Sequence, residues 1–191
     1  MIWSNNGGLA RYVLLAFFLL CAMSTSAETL TPKYLAYEVE VKHDNVAKSC
    51  HLVLLLNNIP APEIVNLKLF AARKRRDNVI FFGLSLDVGE LTFVNGLPSK
   101  TNMVLLSKAS FDSPSFSSAG RLNGGPIEDG GVLLSTAEPE TGRQLVASFL
   151  RGLFSISFVR KGSVSSRTYV ISQAPPVDDQ NQFRGCLTAL Q

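Results

Sequence analysis

The sequence predicts a mostly β fold: an antiparallel β-sandwich or barrel-like domain with two short helices, the last at the C-terminus. Three observations predict it. Apolar and polar residues alternate over many short stretches, the period of a half-buried strand. Gly, Pro, Asn and Asp punctuate those stretches at short intervals. Helical spacing occurs in only two places, both late, and no strand–helix–strand alternation is present.

Composition agrees. Hydrophobic residues make up 46% and charged residues 17% of 191, which excludes a disordered chain. The 14 Gly and 9 Pro follow no period, which excludes a collagen-like chain. A net charge of +3 gives no case for a nucleic-acid partner.

Residues 1–27 read as a secretory signal peptide. Arg11 precedes an apolar run from Tyr12 to Met23, and Thr25 and Ala27 provide the small residues of a cleavage site before Glu28. The run is too short to span a bilayer, which takes about 20 residues. Removing 27 of the 191 residues leaves 164, expected to form a single exported β-rich domain over residues 28–191. That product is not expected to be an integral membrane protein. The periplasm is the expected compartment, with secretion as the alternative.

The elements follow in order. Residues 28–33 read as a short leader. Tyr37, Val39 and Val41 alternate with Glu38, Glu40 and Lys42, a half-buried strand. Cys50 to Leu56 is continuously apolar and reads as a strand buried on both faces. Val65, Leu67 and Leu69 alternate again. Strands are expected at Val79–Leu86, Leu91–Val94 and Met103–Lys108, parted by Asp87-Val88-Gly89 and Asn95-Gly96-Leu97-Pro98. Residues 110–131, rich in Ser, Pro and Gly, read as a functional loop or a loose hairpin tip. A short strand resumes at Val132–Leu134. Leu145, Val146, Phe149 and Leu150 then fall at helical spacing, with Pro139 and Glu140 suited to the first turn and Gly152 to the C-terminal cap. Leu153–Val159 and Arg167–Ser172 form a hairpin pattern. Phe183, Cys186, Leu187 and Leu190 share a face of a last helix, with Asp178 or Asp179 as its N-cap.

Of three cysteines, Cys21 leaves with the signal peptide, so Cys50 and Cys186 remain. An even number in an exported chain favours a disulfide; the alternative is two buried free thiols. Bridging them closes a loop of about 137 residues, for which chain entropy gives roughly 4–5 kcal/mol. The bridge would staple the last helix to the sheet.

Catalytic and metal signatures are weak. The two histidines, His43 and His51, lie near Asp44 and Cys50, but adjacent residues on a strand face opposite ways, so Cys50 and His51 cannot converge on one ion. No serine sits in a nucleophile elbow, and Gly124-Gly125-Pro126 lacks the Lys-Ser/Thr end of a phosphate loop. No catalytic residue, cofactor or metal ligand is therefore assigned. The densest charge run, Arg73-Lys74-Arg75-Arg76, is a candidate anion-binding site for an envelope component; its alternative is a solvated hairpin tip.

The chain from about Val132 to Leu190 runs strand, helix, strand, strand, helix. Its skeleton is Leu145, Phe149, Leu150 and Gly152, then Phe154, Ile156 and Phe158, then Tyr169-Val170-Ile171, then Phe183, Cys186 and Leu187. It resembles the closing section of bacterial periplasmic proteins of the invasion-associated locus B type. It departs from them in lacking a Trp before its first mature cysteine and a further cysteine pair. The resemblance implies an envelope protein with a binding or host-interaction role and no known enzymatic site, and it carries over no functional residue. The expected function is thus an exported, non-catalytic β-sandwich that binds an anionic envelope component or another protein. The alternatives are a subunit of an envelope assembly, or a hydrolase of unrecognised type.

Overall fold

The computed structural model describes residues 27–43, 47–58, 63–74, 79–95 and 97–190. The proposed signal segment, apart from Ala27, therefore lies outside the described residues. Twelve strands and two helices are described. The strands are β1 (Ala27–Leu30), β2 (Tyr34–His43), β3 (Ala47–Asn58), β4 (Glu63–Lys74), β5 (Ile80–Val94), β6 (Leu97–Met103), β7 (Leu106–Ser113), β8 (Phe116–Ser117), β9 (Asn123–Pro126), β10 (Val132–Thr136), β11 (Phe154–Arg160) and β12 (Ser166–Ile171). Helix α1 (Pro139–Arg151) lies between β10 and β11, and α2 (Val177–Leu190) follows β12.

Two sheets result. The larger runs β2-β3-β4-β5-β10-β9, with β6 also on β5. The smaller runs β1-β12-β11-β7-β8. Every pairing is antiparallel except β1 with β12. The mostly β sandwich with a C-terminal helix is what the alternation predicts.

The inner face of the large sheet follows from register. Cys50, Leu52, Leu54 and Leu56 of β3 stand opposite Ala71, Leu69, Leu67 and Val65 of β4, and all eight are fully buried. Ala71, Leu69 and Leu67 in turn face Phe82, Leu84 and Leu86 of β5. The small sheet contributes Phe111, Phe154, Ile156, Phe158, Tyr169 and Ile171 to the same contiguous apolar cluster. Helix α1 joins the two layers. Its Phe149 stacks on Phe154 at 5.0 Å and lies 6.2 Å from Phe111. On its other side Gly142 sits so close to the Phe82 ring that a Cβ there would clash. The helix ends at Gly152, whose φ of 68° is the left-handed cap and whose N–H donates to the Phe149 carbonyl.

Several expectations are corrected. Residues 28–33 are not a free leader: β1 pairs in parallel with β12, Glu28 against Arg167. Strand β3 is buried on one face; Ser49, His51 and Leu55 on the other are partly exposed, Val53 excepted. Asp87-Val88-Gly89 makes no turn. These residues lie inside the 15-residue β5, where Gly89 pairs with Ile64 on one side and Met103 on the other. The expected Met103–Lys108 strand is divided, because the chain leaves β6 at Met103 and enters the small sheet at Leu106. Residues 110–131 are no loose tip: Phe111, Phe116 and Leu122 are buried, and the Ser118 hydroxyl accepts from the Phe111 N–H. Asp178 and Asp179 lie in the first turn of α2 rather than at its cap. Among the described residues no helix is long and apolar enough to cross a membrane.

Candidate functional site

Cys50 and Cys186 meet. Cys50, on the inner face of β3, and Cys186, on α2, form a disulfide with Cα atoms 5.9 Å apart, well within the span a bridge allows. Helix α2 needs such a tie, since Phe183 and Leu190 are its only buried residues. A helix of this length with so little apolar burial is marginal alone.

The basic run does not form a hairpin tip at its start. Arg73 and Lys74 are the last residues of β4. Arg73 shares the inner face with Ile80, its register partner on β5. Its Nη1 donates to the Leu190 carbonyl at 2.8 Å, so this guanidinium caps α2. Arg75 and Arg76 lie outside the described residues, as does Asp44.

His51 and Cys50 do not converge on one site. His51 points to the outer face, with Nε2 2.9 Å from the Ser49 hydroxyl, while Cys50 faces inward. Among the described residues no group of three or more His, Cys, Asp or Glu side chains could hold a metal.

A charged cluster missed by the sequence reading joins the two sheets at the opposite end. Glu63 is 1% exposed on the inner face of β4, directly across from Glu90 of β5. Arg160, at the end of β11, contacts Glu90 and reaches Glu63 at 3.4 Å. Arg167 on β12 reaches Glu63 at 2.5 Å and Glu28 at 3.0 Å. The Tyr169 hydroxyl donates to Glu63 at 3.2 Å. Burial, then the Glu63 charge, raises the Tyr169 pKa well above its ordinary value. A cavity of about 280 Å³ opens beside this cluster, lined by Arg160, Arg167, Glu28 and three serines. Three carboxylates meet its two arginines, so it holds no surplus of positive charge. The signal was present in the sequence: Glu63 falls two residues before Val65, in phase with the buried face.

The second cavity is apolar. Ile80 and Phe82 of β5 form its floor, Val146, Ala147 and Leu150 one wall, and Leu187 and Leu190 the other; its volume is about 230 Å³. Arg143 of α1 and Arg184 of α2 stand among its lining residues.

The chain matches no family model, no curated protein and no solved structure. Two arrangements are chemically distinct: a cluster of three carboxylates and two arginines that ties the sheets together, and an apolar groove flanked by arginines.

Proposed function

We propose that the chain is an exported, non-catalytic binding protein of the bacterial envelope, of the periplasmic kind that its last third resembles. The observation that carries this reading is the Cys50–Cys186 bridge, because disulfides persist in oxidising compartments and are rare in the cytosol. The apolar, arginine-flanked groove supports a binding role. The amino-terminal sequence, with Arg11 before an apolar run and Ala27 before Glu28, supports export.

Membership of an envelope assembly is the second reading. Leu105 and Ile127 are exposed large apolar residues that line one depression beside Lys161, and exposed apolar groups side by side favour a protein partner.

Intact mass of the protein recovered from its native host, with thiol alkylation before and after reduction, tests export. The expected product starts at Glu28 and takes up two labels only after reduction. Labelling before reduction, or a mass that retains residues 1–27, overturns the reading.

A further inference from the structure

We infer that the groove between α1 and α2 is a binding site for a single-chain fatty-acid anion, its tail in the groove and its carboxylate at the arginines. The inference deepens the binding part of the reading above and rests on it. Export is judged by mass and the ligand class by titration, so each can fail without the other.

The interior argues for the tail. Seven apolar side chains line about 230 Å³, and no carboxylate is among the lining residues. Water fills such a space poorly, because each molecule needs two to four polar partners. At about 30 Å³ per water the groove has room for roughly eight, and a methylene is of similar size, so a chain of about eight carbons fits.

The lips argue for the anion. Arg143 holds Glu140 in an exposed pair, Oε2 being 2.7 Å from Nη2. Among the described residues Arg184 meets the Gln180 amide oxygen, at 3.4 Å, and no carboxylate. The two lining cations, Arg143 and Arg184, against the one carboxylate of Glu140 leave positive charge at the mouth, and a guanidinium suits the two oxygens of a carboxylate. The charged cluster at the other end of the sandwich offers no such surplus.

The bridge holds one wall in place. Leu187, Leu190 and Arg184 all belong to α2, which Cys186 ties to β3.

The test uses the purified mature protein with its disulfide intact, titrated calorimetrically with octanoate, 1-octanol and octylammonium. One saturable site is expected, with octanoate bound about tenfold more tightly than octanol and octylammonium weakest. Affinity should rise about fourfold per methylene from pentanoate and level off near eight to ten carbons, where the groove is full. R184Q should weaken octanoate about tenfold and leave octanol unchanged. A147F, at an exposed lining position, should remove binding of both; R184Q keeps the test decisive if A147F fails to fold. The inference is overturned by absence of a saturable site, or by octylammonium matching octanoate. It is equally overturned by affinity that climbs past twelve carbons without levelling, or by association with phosphatidylglycerol vesicles in place of octanoate.

Discussion

Arg73 donates from Nη1 to the carbonyl oxygen of Leu190 at 2.8 Å, which ties the end of β4 to the last described turn of α2. The final carbonyls of a helix have no intrahelical partner and carry its negative end. Helix α2 has no basic residue in its own last turn, so the cation comes from another element. R73M keeps the aliphatic stem and removes the charge. It should cost about 1–2 kcal/mol in urea denaturation and speed amide exchange in the last turn of α2. Unchanged exchange there would show that the contact carries no weight.

Cysteine removal should act on the same helix but more strongly. Replacing Cys50 and Cys186 by Ala opens a loop with a sequence separation of 136. The expected loss is about 3–5 kcal/mol. Because α2 buries only Phe183 and Leu190, the loss should show first as amide exchange over residues 183–190, ahead of β4. If α2 and β4 exchange in one step under reducing conditions, the helix is held by packing rather than by the bridge.

The parts of this fold legible in the sequence were those decided locally. Alternation in Phe154–Val159 gave β11, and Pro139, Glu140 and Gly152 bounded α1, because period and caps are properties of neighbouring residues. What escaped was decided by partners far along the chain. Asp87-Val88-Gly89 has the composition of a turn, yet Ile64 and Met103 flank Gly89 and hold it extended. The leader became β1 only because β12 offered a free edge. Ser, Pro and Gly in residues 110–131 hide three buried apolar anchors, and Arg121 fixes the segment by lying 4.7 Å over the Phe116 ring. Glu63 is the exception: its phase with Val65 already placed a carboxylate on the buried face. The groove drew its lining from β5, α1 and α2, so no single stretch of sequence announced it.

Asp87 makes the protein's stability depend on pH. Burial raises its pKa; Lys68 opposes this and Asp129 adds to it. A carboxyl whose folded pKa lies above its unfolded value favours the native state most at low pH, and that advantage is lost as pH rises through the folded value. At neutral pH the native state therefore carries an unfavourably placed carboxylate. D87N should raise the melting temperature by about 1–3 °C at pH 7. It should bring no gain at pH 3, below the unfolded pKa of about 3.9. Thermal melts at the two pH values check the sign, and equal shifts at both would mean that the change acts through packing.

Glu63 should be the most sensitive charged position in the chain. Its oxygens accept from Arg167, Tyr169 and Arg160, and it is 1% exposed, while Arg160 and Arg167 are 32% and 29% exposed. Removing one partner of a buried pair leaves the other charge uncompensated and typically costs 3–5 kcal/mol. Here the arginines keep Glu90 and Glu28 and some water, so E63Q should cost less, about 2–3 kcal/mol. The loss should fall on the contact between sheets, with β12 and β4 losing amide protection together. R167M alone leaves the buried carboxylate with Tyr169 and the longer contact to Arg160, and should cost a similar amount. The double variant E63M/R167M removes both charges and fills their space with apolar groups, so it should recover much of that loss. A double variant whose cost equals the sum of the single ones would mean that the two residues act independently, and the clamp between the sheets would have to be sought elsewhere.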